Sequence, residues 1–255
     1  MPSAFVKFHT VQHYQRTAFE AGLEANGFVI DRSPSENPSA GDCIVLWNRY
    51  ARDEAIARRY EAAQATVLVA ENAWLGPEQK DAHWFAICRG HHNGAGTWYV
   101  GTYMRWSAEI TAGVKDWRND GEHILVLPQR GMGERGVRQE KDWLPSVLAR
   151  LQKATDRPIK VRYHPGIRPH PPIDFSDTWA CVTWASGAAI KAIVAGIPVF
   201  HEFPKWIGRP AARLGLDNLE DPFLGDRGPM LHRLSWATWT AEEIEKGEPF
   251  KWLLK

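Results

Sequence analysis

The sequence predicts an α/β fold of two Rossmann-like domains facing each other across a cleft, and three observations predict it. Segments such as "CIVLW" (43–47) and "TVLVA" (66–70) are near-continuously apolar, as strands buried on both faces of a parallel sheet are. Segments with helical spacing of apolar residues separate them, which is the βαβ rhythm of a covered parallel sheet. That rhythm breaks down over residues 77–123 and restarts at "HILVLPQRG" (123–131), so the chain divides in two. The break falls near 105–122, giving expected domains 1–115 and 116–255.

Each element has a local reason. "AFVKFHT" (4–10) reads as a strand, and "VQHYQRTAFEAGLEANG" (11–27) as an amphipathic helix stopped at Gly27. "GDCIVLWNRY" (41–50) is a buried strand entered by a turn. "ARDEAIARRYEAAQ" (51–64) is helical, and "ATVLVAENAWLG" (65–76) is a strand running into a loop. Residues 77–123 are irregular and aromatic, around "RGHHNGAGTWYVG" (89–101). In the second half a strand at 123–131 is followed by a helix at 141–155, and "IKVRYHP" (159–165) is again a strand. "WACVTWASG" (179–187) breaks into Ser-Gly, "AAIKAIVAG" (188–196) is a helix ended by Gly196, and "IPVFHEF" (197–203) is a strand. Thr240, three residues before Glu243, marks the start of a capped helix.

Composition narrows the function classes. The 255 residues are 44% hydrophobic and 24% charged, an ordinary globular balance. No apolar run approaches the ~18–20 residues that span a bilayer, and "MPSAFVKFHT" has no signal layout, so a cytoplasmic protein is expected. Cys43, Cys88 and Cys181 lie far apart, which suits reduced thiols. Net charge is +1, but residues 130–168 hold ten basic against four acidic residues, an excess of +6. Such a local excess suits phosphate at one site as readily as a solvated basic face. Thirteen tryptophans serve as core anchors or as stacking platforms for sugars or bases.

In open α/β sheets ligands sit beyond the carboxyl ends of the strands. The predicted ends are His9-Thr10, Asn48-Arg49, Glu71-Asn72, Gln129-Arg130-Gly131, His164-Pro165, Ser186-Gly187 and His201-Glu202, and all seven are polar. "VTWASGAAIKAIVAG" (182–196) places Ser186, Gly187 and Ala188 where a strand becomes a helix. The free amides and dipole of that first turn make an anion site; Ser186 taken alone is equally an ordinary N-cap worth about 1 kcal/mol. In "LPQRGMGERG" (127–136), Arg130 suits bidentate phosphate binding and Gly131 close backbone approach, although the stretch is no P-loop. His164, beside Arg162 and with Pro165 fixing the turn, is a phosphate or ribose ligand or a capped histidine. Glu71 follows four apolar residues, so partial desolvation would raise its pKa toward that of a general base; an ion-paired glutamate is the plainer alternative. His92 and Asn93 lie in a glycine-flanked loop.

"KVRYHP" followed by "VTWASGAAIKAIVAGIPVF" resembles the C-terminal half of GT-B glycosyltransferases. The likeness is to bacterial sialyltransferases and capsule Kdo transferases, with their His-Pro motif and later Ser motif, and also to phage and prophage glycosyltransferase-like proteins. It runs over residues 155–205 and more weakly over 65–131. It implies that His164 and Ser186 bind the phosphates of the donor nucleotide and that Glu71 is the catalytic carboxylate. Asn72 and Ala73 stand where that element has its second acid and glycine.

The expectation is therefore a glycosyltransferase moving a sugar from a nucleotide-sugar donor, UDP-linked, to an acceptor hydroxyl. No cofactor is expected, and no Asp-x-Asp motif calls for a metal. Donor contacts would come from Gln129, Arg130, Gly131, Arg162, His164, Pro165, Ser186, Gly187, Ala188 and His201. Acceptor contacts would come from Thr10, Asn48, His92 and Asn93. A phage-like relative suggests a hydroxymethylated pyrimidine in DNA as acceptor, with the basic segment holding backbone in the host cytoplasm. A cell-surface glycan is the alternative, and a non-catalytic binding protein on the same scaffold is another. A hydrolase using Glu71 and His92 is a weaker third, lacking a nucleophile elbow.

Overall fold

A computed structural model of the chain describes residues 1–8, 14–47, 49–75, 84–92, 94–107, 111, 113–164 and 171–255. The expectations for Thr10, Asn48, Asn93 and Pro165 lie outside these residues. In chain order the described elements are β1 (Ser3–Lys7), α1 (Arg16–Glu24), β2 (Val29–Ile30), β3 (Cys43–Trp47), α2 (Arg52–Ala62), β4 (Thr66–Asn72) and β5 (Trp84–Arg89). There follow β6 (His123–Leu127), α3 (Trp143–Ala154), β7 (Ile159–Val161), β8 (Thr178–Thr183), α4 (Gly187–Val194), β9 (Val199–His201) and β10 (Arg213–Leu214). The chain ends with α5 (Gly228–Ala237), β11 (Thr238–Thr240), α6 (Ala241–Glu245) and α7 (Phe250–Leu253).

The α/β class holds. One compact unit comprises Met1–Arg105 with Arg233–Lys255, the other Trp106–His232. The first is built on a six-stranded sheet in the order β11-β5-β4-β3-β1-β2. Its β1 to β4 run parallel; β5 is antiparallel to β4, and the edge strand β11 is antiparallel to β5. The unbroken apolar run of β3 is explained by cover on both faces. Cys43 and Val45 pack with Phe19 and Leu23 of α1, and Ile44 and Leu46 with Ala57 and Tyr60 of α2.

The second unit holds an all-parallel sheet in the order β10-β9-β8-β6-β7. Ile124 and Val126 of β6, with Ala180 and Val182 of β8, meet Trp143, Val147 and Leu151 of α3. The alternate residues face the opposite way, and small, apolar α4 is buried through Ala189, Ile190, Ala192 and Ile193. Gly196 ends α4 with φ +82, and a Cβ there would lie 2.0 Å from the Asp116 carbonyl oxygen. All three cysteines are free and buried, and burial pushes each thiol's pKa up.

The expected division at 115/116 is corrected by the last 23 residues, Arg233–Lys255, which belong to the first unit. The cause is β11, whose Thr238, Trp239 and Thr240 pair with Ala86, Phe85 and Trp84 of β5. The capping box expected at Thr240 is present. The Thr240 hydroxyl accepts from the Glu243 N–H at 3.1 Å, and the Glu243 carboxylate accepts from the Thr240 N–H at 2.9 Å. The α6 turn then closes on α1 at Gly22, where an added Cβ would lie 1.9 Å from the Ile244 carbonyl oxygen. Strand β5 itself falls inside the stretch read as irregular.

Candidate functional site

Counted from its first strand, the second sheet has the order 2-1-3-4-5, which reverses direction between β6 and β8. In doubly wound sheets the ligand crevice opens at that reversal, beyond the carboxyl ends of the two strands. The residues there are Gln129, Arg130 and Gly131 after β6, and Trp184, Ala185 and Ser186 after β8. They are bonded into one assembly. The Gln129 side-chain amide donates to the Ala185 carbonyl at 3.1 Å. Thr183, fully buried at the end of β8, donates through Oγ1 to the Leu127 carbonyl at 2.9 Å and accepts the Ser186 N–H at 3.0 Å. The Gln129 Oε1 is buried with no partner among the described residues.

Ser186 caps α4: its Oγ accepts the Ala188 N–H at 3.2 Å. The Ala189 N–H is taken by the Ser186 carbonyl at 3.1 Å. Of the first-turn amides this leaves the Gly187 N–H without an acceptor among the described residues, together with the helix dipole and the Ser186 hydroxyl proton. Ser186 is therefore a cap and, in the same geometry, keeps a donor to offer.

Gly131 has φ +67, and a Cβ there would approach the Gln139 carbonyl oxygen to 3.3 Å, so this loop position is suited to glycine. Arg130 beside it is exposed. On the far side of β6, strand β7 ends at Val161, three residues before His164. The Arg162 N–H still reaches the Val126 carbonyl at 3.0 Å, and Tyr163 and His164 are exposed. Because β7 and β8 flank β6 and all run parallel, their chains leave the same sheet edge about 10 Å apart, two interstrand spacings.

Other expected site residues are placed differently. His201 is 0% exposed; its Nδ1–H donates to the Phe203 carbonyl at 3.0 Å and its ring lies 5.1 Å from Trp206. It is a core residue, because β9 is covered where a free strand end was expected. His92 is 1% exposed, with Nδ1 accepting the Arg49 N–H at 3.4 Å, so it is enclosed within its loop. Glu71 does not lie past a strand end. It is half-buried within β4, in register with Ala86, because antiparallel β5 prolongs the pairing to Asn72. Arg49 is consumed structurally, and Glu202 accepts Arg150 bidentately at 2.7 Å and the Trp143 indole N–H at 2.8 Å. Thr183, Trp184 and Gln139 were not singled out from the sequence; a polar residue closing an apolar strand was the one signal for Thr183.

Part of the basic segment is engaged within the fold. Arg138 lies 3.6 Å from Glu140, Arg150 is held by Glu202, and the Arg157 guanidinium stacks on Trp179 at 4.2 Å. Arg157 precedes β7 and Arg130 follows β6, so these parallel strands put them at opposite edges of the sheet.

Burial lowers the His201 pKa from 6.5 to about 4, with the Phe203 carbonyl opposing and Arg209 adding to the depression. A depressed histidine stabilises the fold fully above its unfolded pKa and loses that contribution as pH falls toward the folded value. By pH 5 the loss should reach about 2 kcal/mol. Urea midpoints at pH 7 and pH 5 should therefore differ more for the native chain than for His201→Phe; equal differences would contradict this assignment.

No family model matches the sequence, and no curated protein matches it. Solved structures do. The chain matches the β Kdo 2,4 transferase of Thermosulfurimonas dismutans KpsC with a TM-score of 0.56 at 14% identity, covering 93% of this chain and 90% of that one. It matches the β Kdo 2,7 transferase of the same organism's KpsC with a TM-score of 0.58 at 12% identity, covering 98% and 100%. At such identities the likeness is one of fold: an α/β fold with two parallel-rich sheets, similar to that of these two transferases. No helix among the described residues is long and apolar enough to cross a membrane.

Proposed function

We propose that the chain is a glycosyltransferase that holds a nucleotide sugar at the β6/β8 reversal and transfers the glycosyl group to a hydroxyl of a glycan. The observation that carries this reading is the bonded assembly at that reversal, where Gln129 joins the loop bearing Arg130 to the turn bearing Ser186. The fold shared with two Kdo transferases supports it.

In this reading the Ser186 hydroxyl proton, the Gly187 N–H and the Arg130 guanidinium bind the nucleotide phosphate. His164 and Arg162 add contacts from the same sheet edge. Charge builds on the leaving phosphate as the glycosidic bond breaks, and preorganised donors of this kind are the usual source of large electrostatic catalysis. The engagement of Arg138, Arg150 and Arg157 within the fold reduces the unpaired basic patch that backbone binding needs, which favours a glycan over DNA.

The test is incubation with a panel of nucleotide sugars, a Kdo donor among them, while release of UDP, GDP or CMP is followed. Acceptor-dependent release is expected, and a panel that stays silent overturns the reading. Ser186→Ala should weaken nucleotide binding about tenfold, the order of one charge-assisted hydrogen bond; unchanged binding in titration calorimetry would remove Ser186 from the site. Salt-sensitive DNA binding in a filter assay would instead favour the nucleic-acid acceptor.

A further inference from the structure

The loop between β6 and α3 is fastened at both ends to the exit of β8. At its start, Gln129 donates through its side chain to the Ala185 carbonyl, and its backbone N–H is accepted by the Gln139 Oε1 at 2.8 Å. Gln139 is only 9% exposed. Toward its end, the Val137 carbonyl accepts the Trp184 indole N–H at 2.8 Å. The Trp184 ring is held in turn by Phe203, with centroids 5.5 Å apart. Arg130 is carried between these anchors, next to Gly131, which sits at φ +67 and, lacking a Cβ, could reach many other conformations if the loop were not tied.

We infer that Trp184 and Gln139 are positioning residues, which hold the 129–138 loop so that Arg130 stands ready beside the Ser186 turn. The inference rests on the nucleotide-binding reading and extends it to two residues that need not touch ligand. A loop held before binding spares the ordering entropy that a free loop would lose on binding. Each anchor is one hydrogen bond, so its removal should weaken binding about tenfold. If the anchors act through Arg130, that effect should vanish when Arg130 is absent.

The experiment titrates UDP, GDP and CMP into the wild type, Trp184→Phe, Arg130→Ala and the double variant. Trp184→Phe removes the indole N–H with the five-membered part of the ring but keeps an aromatic ring against Phe203, so the unliganded Tm should fall by only a few degrees. The expected result is about tenfold weaker nucleotide binding in the wild-type background and no further weakening in the Arg130→Ala background, the signature of coupled sites. Equal weakening in both backgrounds, or none in either, overturns the positioning role. Gln139→Leu loosens the other anchor and should give the same pattern, which keeps the proposal testable if Trp184→Phe fails to fold. A wild type that binds none of the three nucleotides refutes the nucleotide-binding reading itself. That outcome is distinct from a wild type that binds and a Trp184→Phe that binds equally well.

Discussion

Arg49→Met should destabilise the protein by about 4 kcal/mol, the cost of breaking a buried ion pair by removing one partner. Arg49 is 2% exposed and stands two residues past Trp47, the last residue of the apolar strand β3. Its Nε donates to Glu54 at 2.7 Å, its Nη2 to Glu54 at 3.1 Å and Glu61 at 2.8 Å, and its Nη1 to Glu61 and to the Gly90 carbonyl at 2.7 Å. One guanidinium thus fastens helix α2 to the turn after β5. Methionine fills much of the space but leaves two carboxylates facing each other and a carbonyl without its donor. Arg49→Lys should recover less than half of the loss, because an ammonium cannot reproduce the planar fork. Urea unfolding followed by tryptophan fluorescence measures both, and a loss under about 1 kcal/mol for Arg49→Met would show that the network is not the brace its geometry implies.

Arg49 also illustrates what the sequence discloses. Its place beside the apolar run was legible, because strands covered on both faces are near-continuously apolar. Whether a polar residue at such an end meets ligand or core was not, because that depends on partners remote in sequence. Arg49 finds Glu61 and Gly90, and His201 finds Phe203 and Trp206. Glu71 read as a strand end because β5 could not be seen to prolong β4. Strands β2 and β10 have two residues each, too few for any period to show. The Ser186 turn was legible for the opposite reason. A buried strand, a small-residue turn and an immediate helix are all local, and local chemistry imposed the cap that the structure contains. The fastening of that turn to the loop after β6 joins residues 129 and 185, and nothing in either segment alone discloses it.

The same logic makes Arg105→Met a test of the domain boundary, with an expected loss of about 4 kcal/mol from broken charge-assisted hydrogen bonds and a desolvated cation–π contact. Its guanidinium lies 3.5 Å from the centre of the Trp239 ring and 5.6 Å from that of Trp236. It donates to the Ser235 carbonyl, to the Thr238 carbonyl at 2.9 Å, and to the carboxylate of Glu243 that also caps α6. Every one of these partners lies in the returning segment 233–255. Trp239 is in turn the residue through which β11 pairs with Phe85 of β5. Removing the guanidinium should therefore free the segment before the rest of the first unit unfolds. Trypsin should cut at Lys246 and Lys251 at concentrations that spare the native chain, and the Phe85 and Trp239 amides should exchange faster than those of β3. If instead the variant loses stability with no change in the relative exchange of β11 and β3, Arg105 supports the unit as a whole. The segment would then be held by its other contacts, chiefly the closure of α6 on Gly22. That alternative has a physical basis in the hydrophobic packing of Trp236, Trp239, Ile244, Phe250 and Leu253 with Phe19 and Leu23. The cation is expected to dominate because those side chains can stay in the core only while β11 remains in register, and the two carbonyls that Arg105 holds, at 235 and 238, lie just before and within that strand.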